Sequence, residues 1–184
     1  MRLSLVRVIV AIAVWVGCAF STKAQNYYHQ LSADEFANRS GGMPGMVAYT
    51  SCRIDMRCRG TNDKRNNINV TYDVQLVFDR DKSWIDKRKI TSAFMLADIL
   101  KHEQGHYTIA FMQQQELLRT LNKTRFGTNY KAQADAIFDQ IEAKYKQLND
   151  NYDEDTRRSL DREQQHSWDE YFKKRIMYMP PSAI

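Results

Sequence analysis

Residues 96–121, LADILKHEQGHYTIAFMQQQELLRTL, decide the fold of this chain. Their apolar side chains recur every three or four residues, a period that predicts an amphipathic α-helix with one buried face. These positions are Leu96, Ile99, Leu100, Tyr107, Ala110, Phe111, Leu117, Leu118 and Leu121. Thr91 or Ser92 can cap the start of this helix. We expect it to end near Asn122, with Gly127 in the loop that follows.

The centre of this helix carries a metal-binding pattern, His-Glu-Gln-Gly-His. His102 and His106 are four residues apart and therefore share one helical face. This spacing lets both ring nitrogens reach one metal ion at about 2.0–2.1 Å. Glu103 then lies where it can take a proton from a zinc-bound water, the pKa of which falls to about 7. The pattern predicts a Zn²⁺ site with Glu103 as general base, although a solvated helix can carry the same pattern by chance.

The sequence leaves the third ligand of this site open, and a catalytic zinc site needs three protein ligands. Asp153, Glu154 and Asp155 are expected at a bend, where any one of them could bind zinc or cap the next helix. His166 is the other candidate. If Trp168 is buried, however, the helical period turns His166 towards solvent.

The segments on either side predict strands before the motif helix and helices after it. Residues 68–78 alternate apolar and polar side chains, as a half-buried strand does, and residues 47–58 form a second strand candidate. We expect these two strands to pair as an antiparallel hairpin, after an irregular entry segment with a short helix near residues 34–36. Two more helices are predicted, from about Lys131 and from about Leu160 to Ile176.

These elements predict an α+β fold, in which a small antiparallel β-sheet packs against three helices and the motif helix is zincin-like. Residues 25–178 are long enough for one domain with a sizeable core. Pro180 and Pro181 end the last helix, so residues 179–184 are predicted to form a loose tail.

The amino-terminal residues 1–24 have the pattern of a secretory signal peptide. Arg2 and Arg7 precede an apolar run over residues 8–20, and cleavage after Ala24 fits the small residues there. The run is shorter than the about 20 residues that cross a bilayer, so no stable membrane span is expected after cleavage. The protein is predicted to be exported to the periplasm or outside the cell, with a lipoprotein anchored through Cys18 as an alternative.

Charge and cysteine usage restrict the function classes. Without the basic residues of the signal peptide, 24 basic side chains face 22 acidic ones, so nucleic acid is not an expected partner. Cys52 and Cys58 are six residues apart on a predicted strand, which spans about 20 Å. A disulfide needs Cα atoms within about 7 Å, so two free thiols are expected.

The ordered motifs resemble those of a bacterial family, domain of unknown function 922, whose members are predicted to be secreted zinc-dependent proteases. The similar segments are Leu31-Ser32-Ala33-Asp34-Glu35-Phe36, Ala48-Tyr49-Thr50-Ser51, Ser83-Trp84-Ile85, His102-Glu103-Gln104-Gly105-His106-Tyr107, and Tyr152-Asp153-Glu154-Asp155-Thr156 with Gln165 and Trp168. The resemblance implies a zinc metallopeptidase that hydrolyses peptide bonds of a peptide or protein substrate. Zinc would be bound by His102 and His106, and Glu103 would be the catalytic base.

One departure from the family pattern concerns the third ligand. The family places a histidine at the position of Arg158, so Arg158→His could complete the site. Tyr107, Tyr152 or Arg158 could instead donate to an oxyanion in the transition state. The alternative function is a catalytically impaired, peptidase-fold binding module of the cell envelope, in which Arg158 pairs with Glu103 and excludes zinc.

Overall fold

The computed structural model describes residues 28–39, 45–62 and 68–178. They form an α+β fold with three helices: α1 (Ala93–Lys123), α2 (Tyr130–Thr156) and α3 (Arg162–Tyr178). The predicted signal peptide, Cys18 and the tail lie outside the described residues. Within those residues, no helix is both long and apolar enough to cross a membrane.

Helix α1 is the central element, because both hydrophobic clusters of the described residues pack on it. Its 31 residues span about 46 Å at 1.5 Å per residue. The side chain of Ser92 caps its start, since the Ser92 Oγ accepts a hydrogen bond of 3.1 Å from the Met95 N–H. The cap and the end at Lys123 confirm the predicted extent of the motif helix.

The two long strands form the predicted antiparallel hairpin, β3 (Cys52–Asn62) with β4 (Ile68–Phe78). Cys52 faces Phe78 at one end of the ladder and Asn62 faces Ile68 at the other. The expected single strand over residues 47–58 is wrong, because the chain leaves one sheet after β2 (Ala48–Tyr49) and enters the hairpin at Cys52.

A second, three-stranded sheet has the order β1-β5-β2, with β1 (Ala37–Asn38) parallel and β2 antiparallel to β5 (Trp84–Ile85). The predicted α+β fold with an antiparallel sheet and three helices is confirmed, and this second, mixed sheet is an addition to it. These strands are two residues long, too short to show an alternating pattern in the sequence. The short helix of the entry segment is a 3-10 turn at Ala33–Glu35.

Two hydrophobic clusters share α1. The carboxy-terminal half of α1 packs with the hairpin, α2 and α3 around Leu117, Tyr145 and Tyr152. The amino-terminal half packs with the small sheet around Phe36 and Ile85. The metal motif therefore lies in the part of α1 where the two clusters meet.

The entry segment is attached to the motif helix by the Gln104 side chain. The Gln104 Oε1 accepts a hydrogen bond of 2.7 Å from the Leu31 N–H, and the Gln104 Nε2 donates to the His29 carbonyl at 3.1 Å. His29 itself pairs with Glu35, outside the metal motif. Gln104, although polar, is thus buried for a structural reason.

Helix α2 continues through the acidic residues that were expected to form a bend, so that expectation is wrong. Tyr152 and Thr156 are four residues apart and fully buried against α1, and this packing keeps the segment helical. The chain reverses only at Arg157, Arg158 and Ser159, with φ of 47°, 54° and 78°. Helix α3 then buries Phe172 and half-buries Trp168 and Tyr171, as its period predicts.

Cys52 and Cys58 lie on one strand as free thiols. Their partners in the ladder, Phe78 and Tyr72, are six residues apart as well, so the two cysteines are held at the separation of an extended strand. The expectation of two thiols agrees with this placement.

Replacement of Ser92 by alanine is expected to lower the free energy of unfolding by about 1 kcal/mol, because the Met95 N–H loses its side-chain acceptor. Urea unfolding of both proteins measures the difference. Ser92→Asp restores an acceptor and should recover most of the stability. Thr91→Ala is the matched control, and equal losses in the two alanine variants would contradict the capping role of Ser92.

Candidate metal centre

The two histidines of α1 direct their Nε2 atoms at one point. His102 Nε2 and His106 Nε2 are 3.1 Å apart, and the two rings meet edge to face with centroids 4.8 Å apart. His102 is 3% exposed, so it contacts the protein on nearly every side. The four-residue spacing therefore brings the two nitrogens together.

Asp153 of α2 supplies the third converging atom. Its Oδ1 lies 3.2 Å from His102 Nε2 and 3.3 Å from His106 Nε2. Ligands of a tetrahedral zinc ion at about 2.0–2.1 Å are about 3.3 Å from one another. The triangle of His102, His106 and Asp153 therefore has the size of a three-ligand metal site, and these residues form a possible metal-binding group.

The partners of His102 assign its tautomer. Asp169 Oδ1 accepts a hydrogen bond of 3.0 Å from Gln165 Nε2, which orients the amide of Gln165. The Gln165 Oε1 is then turned to His102 Nδ1, at 3.3 Å. Because an amide oxygen only accepts, Nδ1 carries the proton, and Nε2 presents a lone pair to the centre.

His106 is oriented in the same way. Its Nδ1 lies 2.7 Å from the Asn149 Oδ1, so Nδ1 donates and Nε2 presents a lone pair. Partners of this kind hold histidine ligands in place around bound metals. The Nε2 lone pairs of His102 and His106 and the Asp153 carboxylate thus face one another. These electron-rich atoms repel one another unless a cation lies between them.

The pKa values of Asp153 and His106 shift in opposite directions. Burial would raise the pKa of Asp153, but hydrogen bonds and the charges of His102 and His106 hold that pKa well below its usual range. Burial would lower the pKa of His106, but Asp153 and the charge of Glu103 raise it above its ordinary value. Without a metal ion, a proton on His106 is therefore the positive charge that the centre favours.

Glu103 fits a site that holds a cation. It is 4% exposed, and its Oε2 is buried without a hydrogen-bond partner in the described part of the chain. A buried carboxylate is costly unless it is paired. An ion held by the neighbouring histidines would supply the missing charge, so the residues present fit a bound metal.

Tyr152 explains the glycine of the motif. Its ring stacks on His102 with centroids 4.7 Å apart, and its hydroxyl donates to the His102 carbonyl at 3.0 Å. A Cβ at residue 105 would overlap this ring, at 2.7 Å from Tyr152 Cε1 and closer to Cζ and the hydroxyl. Gly105 is therefore needed for the close approach of α2 to α1.

The centre opens into a cleft of about 1690 Å³ between α1, α2 and β2. Glu103, His106 and Asp153 line this cleft together with Ala48 and Thr50. The Thr50 hydroxyl donates to the Glu103 carbonyl at 3.4 Å. Pockets for small molecules measure about 300–1,000 Å³. The cleft is thus large enough for an extended substrate.

The remaining predicted residues lie away from the three ligands. Asp155 is exposed and accepts a hydrogen bond from Trp168, while His166 faces solvent on α3. Neither belongs to the metal-binding group of the described residues. Tyr107 is buried against Tyr28, outside the cleft lining, so it cannot reach an oxyanion there.

The contacts of Tyr152 and Arg158 also differ from those that their predicted roles require. The Tyr152 hydroxyl is buried between the His102 carbonyl and Gln165, which excludes a role as oxyanion donor in the cleft. Arg158 lines the cleft, but the possible metal-binding group of the described residues contains Asp153 and not Arg158. Within the described ranges, no ion pair joins Arg158 to Glu103, on which the binding-module alternative depended.

Sequence reasoning missed the residues that orient the ligands: Asn149, Thr156 and, in this role, Gln165. Asn149 is one turn before Asp153 on the same face of α2, so helical spacing from Asp153 could have found it. Thr156 Oγ1 lies 3.3 Å from His102 Nδ1. Gln165 comes from α3, and no local pattern indicates its contact with α1.

The described residues therefore define an α+β protein with a candidate metal centre between two helices. Residues 20–161 match the model of a family described as "Bacterial protein of unknown function (DUF922)". Since this match covers most of the chain, the chain belongs to that family. Neither the curated proteins nor the solved structures contain a match.

Gly105→Ala is expected to lower both stability and metal affinity. Alanine normally stabilises a helix by about 0.5–1 kcal/mol relative to glycine, but here the new methyl group displaces Tyr152 and, through it, His102. Overpacking typically costs about 1–3 kcal/mol. Thermal unfolding and a chelator titration measure the two effects. Gly127→Ala, where a Cβ meets only ordinary contacts, is the control, and a stabilised Gly105→Ala would contradict this packing.

The third ligand is tested with two variants. Asp153→Ala should weaken metal binding well beyond tenfold, because it removes one of three candidate ligands, and even residues that only hydrogen-bond to a ligand contribute about 10–100-fold. Arg158→His should leave the affinity nearly unchanged, because the Asp153 carboxylate already lies within 3.3 Å of both histidine Nε2 atoms. Competition with a chromophoric chelator measures both, and tighter binding by Arg158→His would assign the third position to residue 158 instead.

Proposed function

We propose that this protein is a zinc-dependent peptidase. The observation that carries the proposal is the convergence of His102, His106 and Asp153 within 3.1–3.3 Å, with Glu103 beside them at the wall of an open cleft. Catalytic zinc sites have three protein ligands and one open position. The same arrangement of residues supports hydrolysis.

His102, His106 and Asp153 would hold the metal, and Asn149 and Gln165 would keep the two imidazoles in the ligating tautomer. A bound zinc ion supplies Lewis acidity, which polarises a carbonyl group and makes water more acidic. Glu103 takes the proton of the attacking water and returns it to the leaving amine. Its burial keeps this carboxylate in a fixed position next to the cleft.

The ligand set alone does not decide the chemistry, because two histidines and one carboxylate also hold iron(II) in oxygenases. Glu103 favours hydrolysis. It immediately follows the first ligand, and none of the described residues forms a hydrogen bond with its buried Oε2. Zinc is therefore the proposed metal.

The shape of the cleft supports a peptide as substrate. β2 is an edge strand of the three-stranded sheet, and Ala48, Tyr49 and Thr50 line the same cleft as the candidate ligands. The Asp86 N–H donates to the Val47 carbonyl at 2.8 Å. The backbone groups of Ala48 therefore face away from β5, where an extended peptide could pair with them.

We further propose that the protein acts outside the cytoplasm, as the signal-peptide pattern of residues 1–24 indicates. The expected substrates are peptides or proteins of that compartment.

Two measurements on the mature protein test the proposal. Elemental analysis should find about one zinc per chain, and His102→Ala should lose it. Glu103→Gln should retain zinc and the unfolding temperature but lose peptidase activity on casein by about 10²–10⁴-fold, the typical contribution of a general base. Stoichiometric iron instead of zinc, or unchanged turnover by Glu103→Gln, would overturn the assignment.

A further inference from the structure

The turn after α2 is backbone-strained beside the metal centre. Arg157, Arg158 and Ser159 have φ of 47°, 54° and 78° in succession, the left-handed region that favours glycine. Each such residue is unfavourable without support from its surroundings. Here the Arg158 N–H donates to the Asp153 carbonyl at 3.2 Å, and the Asp161 N–H donates to the Thr156 carbonyl at 2.9 Å. The turn is thus fixed to the residues that form the metal centre.

The two arginines of this turn differ from the other basic side chains of the cleft. Lys146 pairs with Asp150, and Arg162 pairs with Asp98 while covering the ring of Phe94. Arg157 and Arg158 also line the cleft and are exposed. No acidic side chain of the described residues forms an ion pair with either guanidinium. Two unpaired cations are therefore presented to whatever occupies the cleft.

The distance of the arginines from the candidate metal centre matches one or two residues of an extended peptide. Arg157 is four residues beyond Asp153, about 6 Å along the helix axis. An extended peptide advances about 3.3 Å per residue. A peptide bond at the centre would therefore place a group one or two residues away within reach of the guanidiniums.

We propose that Arg157 and Arg158 bind a carboxylate of the substrate, one or two residues from the bond to be cleaved. A guanidinium matches a carboxylate with two parallel hydrogen bonds, which gives both affinity and orientation. Both arginines line the cleft from this turn, so one ligand in the cleft can meet both guanidiniums. The carboxylate comes either from the carboxy terminus of the peptide or from an acidic side chain.

This inference rests on the proposed peptidase function. A binding measurement that requires no catalysis tests the inference separately from the peptidase activity. Zinc-loaded Glu103→Gln protein binds peptides without turning them over. The probes are three hexa-alanine peptides that carry an uncharged fluorescent dye without a carboxyl group: one with a free carboxy terminus, its amide, and an amide with one internal glutamate. Fluorescence anisotropy at low salt should show one of the carboxylate peptides binding about tenfold more tightly than the plain amide. Their comparison identifies the source of the carboxylate.

Substitution of both arginines by glutamine, in the same Glu103→Gln background, should abolish the preference, so that the carboxylate peptide and the plain amide bind with about equal affinity. Substitution of both by lysine keeps the charge, loses the paired hydrogen bonds and should retain only part of the preference. Arg57→Gln, on the exposed face of β3 outside the cleft, is the control for charge alone. Zinc content and unfolding temperature verify that each variant is folded.

The outcomes are distinguishable. Equal binding of all three peptides, or a preference that survives the double glutamine substitution, overturns this inference and leaves the peptidase proposal standing. No binding of any peptide to folded, zinc-loaded protein overturns both. In the active protein, the ratio of kcat/KM between carboxylate and amide peptides should fall in the double variant. A loss of kcat by the same factor for every peptide would instead make the arginines transition-state donors.

Discussion

The packing of Tyr152 against the backbone of α1 at Gly105 is the contact on which the rest of the structure depends. The ring stacks on His102, contacts Trp168 and Phe172 of α3, and is completely buried. Its hydroxyl lies between the His102 carbonyl and Gln165. One side chain of α2 therefore fixes the position of both other helices. A larger residue at position 105 would separate the helices where the ligands converge.

This contact also places the third ligand. Asp153 follows Tyr152 directly, so the packing that buries the tyrosine turns the next side chain towards the histidines. Thr156, one turn later, is buried and lies against His102 Nδ1. The hydrophobic packing of α2 thus positions the candidate metal centre. It also holds the polar side chains that hydrogen-bond to the two histidines in place.

Local patterns predicted the elements that are determined locally. The Ser92 cap, the extent of α1 and the strand Ile68–Phe78 follow from helical and alternating periods, which are properties of short segments. The two histidines were found because they lie on a single helix. The strands of the small sheet have two residues each, and pairing between distant segments of the chain determines them. No period in the sequence could show them.

Asp153, the third candidate ligand, likewise could not be identified from a local sequence pattern. Asp153, Glu154 and Asp155 are a run of acidic residues, a composition common in loops, and the sequence gives no sign that Tyr152 and Thr156 keep them helical by packing against α1. The sequence also could not show why residue 105 is glycine, because the Tyr152 ring that packs against it is 47 positions further along the chain.

The separation of the ligands has a consequence for folding. His102 and Asp153 are 51 residues apart in sequence and belong to different helices, so a bound ion joins the ends of a long stretch of chain. Such a link restricts the unfolded chain most when the enclosed loop is long. An ion present at 100 times its dissociation constant would stabilise the folded state by about 2.7 kcal/mol. The ion would therefore act as a reversible crosslink between α1 and α2, and its removal would favour unfolding.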